Sequence, residues 1–195
     1  MRGPRIIAGS ARGRNLVTPP GCATRPSAGR VRQALFDILV HAPWADEELI
    51  EGRAVLDVFA GSGALGLEAL SRGAARATFI ESDRAACEAI RRNAASCRVA
   101  DRVRILQVDA LAPPRGTNHN LILLDPPYGR EHVPRAVAAL DRAGWIAERA
   151  VIVAELGRAD ALPPNIAPLV ERSHGAARLV IWRAAPADDT GGRCA

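Results

Sequence analysis

Hydrophobic positions along the chain form short apolar runs that alternate with amphipathic stretches. Five of these runs have the length and continuity of strands buried on both faces, and they occupy residues 54–59, 77–80, 103–108, 121–124 and 151–154. Between them, apolar side chains recur at helical spacing in residues 64–71, 84–95 and 134–142. Strands that alternate with helices predict an α/β domain in which helices cover a mostly parallel sheet.

Both ends of the chain depart from this alternation. Near the C-terminus, apolar segments at residues 169–173 and 178–182 flank Gly175, which predicts an antiparallel hairpin. Near the N-terminus, a helix is predicted from Arg30 up to Pro43. Short apolar pieces at residues 5–8 and 15–18 precede that helix and indicate a small hairpin or extended arm.

Charge is distributed unevenly between the N-terminal segment and the rest of the chain. All 26 basic residues are arginines, and seven of them lie within residues 1–36, which contain no acid. The other 19 arginines and 21 acids give −2, so the total of +5 hides a segment of +7. Such a segment is typical of nucleic-acid binding, although an exposed basic face without a ligand has the same composition. We expect a basic arm or small hairpin at residues 1–28, one domain at 29–185 and a disordered tail at 186–195.

Composition also disfavours several classes of protein. No apolar run approaches the roughly 20 residues that cross a bilayer, and no signal sequence opens the chain, so we expect a cytoplasmic protein without a membrane partner. The four cysteines are far apart and show no zinc-site spacing with histidine, so we expect neither a disulfide framework nor a metal. The absence of lysine excludes lysine-based catalysis.

A glycine-rich segment follows the first predicted strand. Residues 57–66 contain the pattern G-x-G-x-x-G, with Gly61, Gly63 and Gly66 at the start of a predicted helix. Glu81 follows the second strand, 20 residues after Gly61, where an acid can bind a ribose diol. These features suit a dinucleotide and other adenosine-containing cofactors equally well.

The fourth predicted strand ends at Asp125-Pro126-Pro127-Tyr128. Each proline lacks an N–H and fixes φ, so the strand cannot continue and Asp125 is held extended. The carboxyl ends of strands are where open α/β sheets bind ligands. We therefore expect a rigidly held carboxylate at the rim of a ligand site.

Taken together, residues 57–66, Glu81, Asp109 and residues 125–128 resemble the successive motifs of S-adenosylmethionine-dependent methyltransferases, especially those that methylate amines. More narrowly, the chain is similar to the RsmD family of 16S rRNA guanine-N2 methyltransferases over nearly its whole length. The segments that carry this similarity are residues 5–9, 13–14, 25–26, 30–32, 34–36 and 57–72. The resemblance implies a Rossmann-like fold whose mostly parallel seven-stranded sheet has helices on both faces and an antiparallel C-terminal hairpin.

The resemblance also implies roles for particular residues, with S-adenosyl-L-methionine as cofactor. Glu81 would accept hydrogen bonds from both ribose hydroxyls, Asp109 would lie near the adenine amine, and Asp57 would contact the amino group of the ligand or brace the loop. The full set of expected cofactor contacts is Asp57, Phe59, Ala60, Gly61, Ser62, Gly63, Glu81, Ser82, Asp109 and Ala110. The expected catalytic group is Asp125, Pro126, Pro127 and Tyr128.

The expected partner is 16S rRNA within a small-subunit ribosomal particle, bound by a monomeric enzyme. Charge predicts that the basic arm lies beside the catalytic rim and holds RNA through arginine side chains, which suit phosphates. The predicted RNA contacts are Arg5, Arg12, Arg14, Arg25, Arg30 and Arg32.

Three other functions compete with this interpretation. A DNA adenine-N6 methyltransferase would use the same tetrapeptide, but a chain of 195 residues leaves little room for a second target-recognition domain. An NAD-dependent oxidoreductase would use the glycine segment and leave residues 125–128 unexplained. A non-catalytic RNA-binding module would need only the basic arm and would leave the acids at the strand ends unexplained.

Overall fold

A computed structural model of the protein describes residues 3–19, 28–44, 49–129 and 131–185. These residues contain seven strands: β1 (Ala54–Val58), β2 (Arg76–Glu81), β3 (Val103–Gln107), β4 (His119–Leu124), β5 (Ile146–Gly157), β6 (Pro168–His174) and β7 (Ala177–Arg183). They also contain α1 (Ala28–His41), α2 (Ala64–Ser71), α3 (Arg84–Ser96) and α4 (His132–Arg142), with a short 3-10 helix at Ala100–Arg102. Arg25 and the predicted tail at residues 186–195 lie outside the described residues.

All the strands belong to one sheet, in the order β3-β2-β1-β4-β5-β7-β6. The first five are parallel neighbours, whereas β7 pairs antiparallel with both β5 and β6. The predicted mostly parallel sheet with an antiparallel C-terminal hairpin is therefore confirmed. β1 lies inside the sheet between β2 and β4, and all five of its residues are buried, as expected of a strand covered on both faces.

Helices cover both faces of the sheet and create two separate hydrophobic cores. On one face, apolar side chains of α1, α2 and α3 pack against alternate residues of the central strands, including Val55, Leu121 and Val151. On the other face, α4 packs against the intervening residues, such as Leu56 and Ile122, together with the buried Trp145 and Trp182. Among the described helices, none has the length and apolar character needed to cross a membrane.

The N-terminal segment folds back onto the domain instead of extending from it. Arg5 and Asn15 form an antiparallel bridge, as expected of a small hairpin, and Ile6, Ala11 and Leu16 are buried in the same core as α2. We call residues 3–19 the N-terminal hairpin. Its apolar side chains make it part of the hydrophobic core.

The fifth strand is longer than the apolar run predicted. It spans Ile146–Gly157, and its pairing with β4 shifts register between His119 and Leu121. Glu148 and Arg149 are exposed within this strand, and Arg149 has a φ of 56°. These two charged residues interrupt the apolar pattern, which is why the sequence predicts only the inner part of the strand.

Candidate active site

The predicted cofactor-binding and catalytic residues lie at the carboxyl ends of the parallel strands. The glycine segment follows β1, Glu81 ends β2, Asp109 follows β3 and Asp125 follows β4. Because parallel strands end at the same edge of a sheet, these residues share one rim. The N-termini of α2 and α3 begin at the same rim.

The segment between β1 and α2 forms a tight loop that depends on left-handed backbone conformations. Phe59, Gly61 and Gly63 have φ values of 59°, 54° and 75°. Gly63 is the N-cap of α2, and its N–H donates to the Ala60 carbonyl at 2.7 Å. Phe59 is not a glycine, so its conformation is held by the surroundings at a cost, a situation common at ligand sites. A side chain built at Gly61 would meet nothing within 4 Å, so the loop leaves open space at that point.

Asp57 braces the glycine loop from below. Its carboxylate oxygen Oδ2 accepts a hydrogen bond from the Gly66 N–H at 2.8 Å, and the residue is only 1% exposed. Burial raises the pKa of Asp57 well above its ordinary range, and the nearby negative charges of Asp125 and Glu81 add to this shift against the opposing hydrogen bond from Gly66. Of the two predicted roles for Asp57, the structure supplies the brace, and such burial leaves little room for direct contact with a ligand.

Glu81 lies against the open side of the same loop. Its Oε2 accepts from the Gly61 N–H at 2.8 Å, and its Oε1 accepts from the Asp83 N–H at 2.9 Å. These two bonds fix the orientation of a half-buried carboxylate. Asp83 caps α3, since its Oδ1 accepts from the Ala86 N–H at 2.7 Å. Ser82, between the two acids, is exposed.

Asp109 makes a local turn at the end of β3. Its Oδ1 accepts from the Leu111 N–H at 2.9 Å, which is the contact of a turn residue. Ala110 is buried at 4% exposure in the core that faces α4. The exposed Asp109 carboxylate is accessible at the rim to a ligand. Its hydrogen bond with Leu111, however, would by itself account for an acid at this position.

The tetrapeptide after β4 is tied to the strands on both sides of it. The Asp125 N–H donates to the Val58 carbonyl of β1 at 3.4 Å, and the Tyr128 hydroxyl donates to Glu155 Oε1 of β5 at 2.5 Å. Asp125 and Pro127 are exposed, Pro126 is buried and Tyr128 is half-buried. The tetrapeptide therefore presents one carboxylate and one aromatic ring at the rim from a fixed backbone.

Asp160 holds the end of this loop, and sequence reasoning missed it. Its two carboxylate oxygens accept from the Gly129 N–H and the Gly157 N–H, each at 2.8 Å. Its own carbonyl accepts from Arg178 Nη2 at 2.7 Å, which joins the loop to β7. Close packing adds to this support, because a side chain at Gly157 would approach Tyr128 Cβ to 3.2 Å.

Comparisons with known proteins agree with this geometry. The sequence model of a family described as conserved hypothetical protein 95 matches residues 4–183. The ribosomal RNA small subunit methyltransferase D of Escherichia coli (strain K12) is 40% identical over 161 residues, which cover 82% of this chain and 77% of that protein. The chain belongs to the RsmD family.

Solved structures extend the comparison to the fold. A protein from Escherichia coli that is described as a candidate methyltransferase is 37% identical, with a TM-score of 0.80 over 94% of this chain and 98% of that one. An RNA methyltransferase from Salinibacter ruber, solved with S-adenosyl-L-homocysteine, shares the fold with a TM-score of 0.58 at 17% identity, over 84% of this chain and 94% of that one. The predicted Rossmann-like methyltransferase fold is therefore confirmed.

The N-terminal hairpin of this RsmD-family protein is clamped onto α2 by a buried acid. Glu68 is fully buried, and its carboxylate accepts from the Ile7 N–H at 2.8 Å, the Ala8 N–H at 3.0 Å and Arg72 Nε at 2.8 Å. Its Oε2 lies 4.0 Å from Arg32 Nε. The sequence gives no indication of this role for Glu68, since a single acid within an apolar helix does not reveal its partners.

Arg32 is part of this clamp, and its position there does not favour the predicted contact with RNA. The residue is only 6% exposed, and its Nη2 donates to the Arg5 carbonyl at 2.7 Å. Burial lowers the pKa of Arg32, while the Glu68 carboxylate opposes that shift. A guanidinium enclosed in this way stabilises the docked hairpin and is not available to a phosphate.

The remaining predicted RNA contacts in the described residues are exposed: Arg5, Arg12, Arg14 and Arg30. The tip of the hairpin lies against Ser71, whose carbonyl and Oγ accept from the Ser10 and Ala11 N–H groups at 2.8 Å and 2.9 Å. Ser71 is the last residue of α2, whereas the glycine loop precedes its first residue. The tip of the hairpin therefore lies away from the catalytic rim, although the charge of the basic arm predicts a position beside that rim. An eight-residue helix separates the two ends by roughly 12 Å.

The hairpin returns to the glycine loop at Val17. Asn93 of α3, which is 1% exposed, accepts from the Val17 N–H at 2.7 Å and donates to the Val17 carbonyl at 2.9 Å. The same Asn93 Nδ2 donates to the Ser62 carbonyl at 2.8 Å. One buried amide therefore joins the basic hairpin to the loop that faces the proposed cofactor.

Proposed function

We propose that this RsmD-family methyltransferase transfers a methyl group from S-adenosyl-L-methionine to the exocyclic N2 amine of a guanine in small-subunit rRNA. The observation that carries the proposal is the position of the Asp125-Pro126-Pro127-Tyr128 segment at the end of β4. This segment is hydrogen-bonded to β1, the neighbouring strand that leads into the glycine loop. The small-subunit rRNA methyltransferase of Escherichia coli supports the choice of substrate class.

The residues at the glycine loop fit the proposed cofactor. Open space at Gly61 leaves room for a ligand, and the Glu81 carboxylate beside it is a pure acceptor that suits the two hydroxyl donors of a ribose. The cofactor supplies a methyl group that is activated by a sulfonium centre. Asp57 fixes the loop, and Asp109 would accept from the adenine amine. The other proposed contacts are Phe59, Ala60, Ser62, Gly63, Ser82 and Ala110.

Asp125 and Pro126 would prepare the target nitrogen. The lone pair of an exocyclic guanine amine is delocalised into the ring, which makes the nitrogen a poor nucleophile. Hydrogen bonds from that amine to the Asp125 carboxylate and the Pro126 carbonyl favour a tetrahedral nitrogen and expose the lone pair. The Asp125 carboxylate, directly or through water, accepts the proton that the amine releases. Most of the catalysis would then come from positioning.

Tyr128 would hold the base. Stacking of a base on an aromatic side chain contributes about 1–3 kcal/mol in single-stranded recognition. The target must be unpaired or flipped out of its helix for Asp125 to reach it, at a cost of a few kcal/mol. The exposed arginines Arg5, Arg12, Arg14 and Arg30 would contribute affinity through phosphates, without choosing the sequence. We further propose that the enzyme acts as a monomer in the cytoplasm on a small-subunit particle.

Two measurements test this function. Calorimetric titration should detect binding of S-adenosyl-L-methionine and none of NAD. Transfer of a labelled methyl group should occur to guanine N2 of 16S rRNA, and a comparison of naked RNA with small-subunit particles identifies the preferred substrate. Heat from NAD alone, or transfer to adenine in DNA, would support one of the competing enzymes instead.

Asp125→Ala should separate the two steps of this proposal. The variant should retain cofactor affinity and lose methyl transfer by about 100-fold or more, the range expected for a positioned acid–base group. Asp101→Ala is the matched control, because Asp101 is an exposed acid in the 3-10 helix before β3. Near wild-type transfer by Asp125→Ala would refute the assigned role.

A further inference from the structure

Glu155 is a rim carboxylate that the function proposed so far does not use. It follows Ala154 in β5, and Ala154 pairs in register with Leu124, the last residue of β4. Asp125 follows Leu124 in the same way, so the two acids occupy equivalent positions on neighbouring parallel strands. Strands in a sheet lie roughly 4.8 Å apart, and residues at the same level point to the same face.

Tyr128 connects these two positions. It lies three residues after Asp125 in the chain, and its hydroxyl donates to Glu155 Oε1 at 2.5 Å. Glu155 is half-buried, so it is accessible from the rim while its surroundings restrict its motion. A base stacked on Tyr128 with its amine at Asp125 would therefore bring its hydrogen-bonding edge close to the Glu155 carboxylate.

Guanine and adenine differ in what that edge offers to a carboxylate. Guanine carries an N1–H donor next to its N2 amine, whereas adenine carries an N1 lone pair next to its N6 amine. An ionised carboxylate only accepts hydrogen bonds. Beside the amine site, it would attract the guanine N1–H and repel the adenine N1. Enzymes that extrude a base from its helix read its Watson–Crick edge by hydrogen bonds of this kind.

We propose that Glu155 selects guanine by accepting a hydrogen bond from N1–H of the base whose N2 amine lies at Asp125. This inference rests on the proposed function and adds the residue that distinguishes guanine from adenine. The segment at residues 125–128 suits either amine, so selectivity requires a further group. The hydroxyl of Tyr128 orients the Glu155 carboxylate, and the ring of Tyr128 holds the base.

A guanine analogue that lacks N1–H provides the test. 2-Aminopurine keeps the 2-amine and presents a lone pair at N1. The target nucleotide is first mapped as the position that the wild-type enzyme methylates. Single-turnover rates are then measured on RNA that carries guanine or 2-aminopurine at that position. 2-Aminopurine also lacks the 6-oxo group, so recognition of N1–H is read from the change in the ratio of the two rates when Glu155 is substituted. The affinity for S-adenosyl-L-methionine, measured in parallel, reports folding.

Glu155→Ala should lower the guanine to 2-aminopurine ratio by about 10- to 150-fold, the equivalent of one hydrogen bond of about 1.5–3 kcal/mol to a charged group. Glu155→Gln keeps one acceptor oxygen and should give an intermediate ratio. Tyr128→Phe removes the hydroxyl but keeps the ring, and it should leave most of the ratio intact.

Two outcomes would overturn the inference while leaving the proposed function in place. In the first, Glu155→Ala slows transfer to both bases equally, which would make Glu155 a structural residue. In the second, Glu155→Ala leaves both rates and their ratio at the wild-type values, which would remove Glu155 from recognition of the base. Failure of the wild-type enzyme to methylate guanine would instead refute the proposed function itself and the inference with it.

Discussion

The docked N-terminal hairpin should depend on the single carboxylate of Glu68. The side chain is fully buried, and its oxygens receive the Ile7 and Ala8 N–H groups at 2.8 Å and 3.0 Å. Two guanidinium groups lie beside it, with Arg72 Nε at 2.8 Å and Arg32 Nε at 4.0 Å. Glu68→Gln preserves the shape and removes the charge, and we expect it to destabilise the protein.

The magnitude follows from the partners that the substitution leaves behind. Glutamine has one acceptor oxygen and one NH₂ group, so at least one backbone N–H that now meets a carboxylate oxygen would face a donor. Removal of one partner from a buried ion pair costs about 3–5 kcal/mol, and this figure includes the hydrogen bonds lost with it. For a chain of this size, each kcal/mol lowers Tm by about 2–4 °C, so the expected decrease is about 6–20 °C.

Urea and thermal unfolding measure this loss, and Glu88→Gln is the matched control. Glu88 forms i,i+4 pairs with Arg84 at 3.4 Å and Arg92 at 3.8 Å, but its side chain is 43% exposed. Exposed pairs of this kind contribute about 0–1 kcal/mol. Amide hydrogen exchange should also accelerate at Ile7 and Ala8 in Glu68→Gln, and it should not change in the control.

Equal stabilities for the two variants would contradict the clamp. Continued protection of the Ile7 and Ala8 amides in Glu68→Gln would also contradict it, because the hairpin would then be held by its apolar side chains. The two measurements separate a loss of global stability from a loss of hairpin docking.

Three further predictions concern the rim and the basic surface. Glu81→Gln should weaken S-adenosyl-L-methionine binding about 10- to 150-fold, the loss of one charged hydrogen bond, and unchanged affinity in calorimetry would remove Glu81 from the site. For the wild type, the logarithm of RNA affinity should fall with the logarithm of salt concentration with a slope near −3, from about −0.7 for each of four phosphate contacts. Replacement of the exposed arginines Arg5, Arg12, Arg14 and Arg30 by glutamine should make this slope flatter. An unaltered slope would mean that the RNA binds elsewhere on the protein. Asp57→Asn keeps an acceptor for the Gly66 N–H, and its stability relative to the wild type should increase as pH rises above about 4. The reason is that the pKa of Asp57 is raised in the native state, so the native wild type retains a proton that its unfolded chain releases, and the wild type loses stability as pH rises. A stability difference that does not change with pH in urea unfolding would contradict this last prediction.

The positions of the rim residues could be predicted from the sequence because each one directly follows an apolar run. Asp125 stands after the run at residues 121–124, and Glu81 stands after the run at residues 77–80. In a parallel sheet such positions must share an edge, so no long-range contact had to be known. Glu155 obeys the same rule, since it directly follows the run at residues 151–154, and the same signal could have found it.

The clamp could not be predicted in this way because its contacts join residues about 60 positions apart. Ile7 and Glu68 are separated by 61 residues, and nothing near either of them indicates the other. Arg32 shows what a prediction from charge composition alone does not detect. A count of arginines without acids treats all seven as exposed charges, whereas the acid that neutralises Arg32 comes from α2.

The hydrogen bonds that dock the hairpin make the arginine substitutions a clean test of the RNA surface. The hairpin is held through the main-chain N–H groups of Ile7, Ala8 and Ala11, which donate to Glu68 and Ser71. The exposed arginine side chains take no part in those bonds, so their removal changes charge without releasing the hairpin. Arg32 must stay in place in such a variant, because its guanidinium belongs to the clamp. A variant that included Arg32→Gln would lose RNA affinity through undocking as well as through charge, and its salt slope would no longer count phosphate contacts.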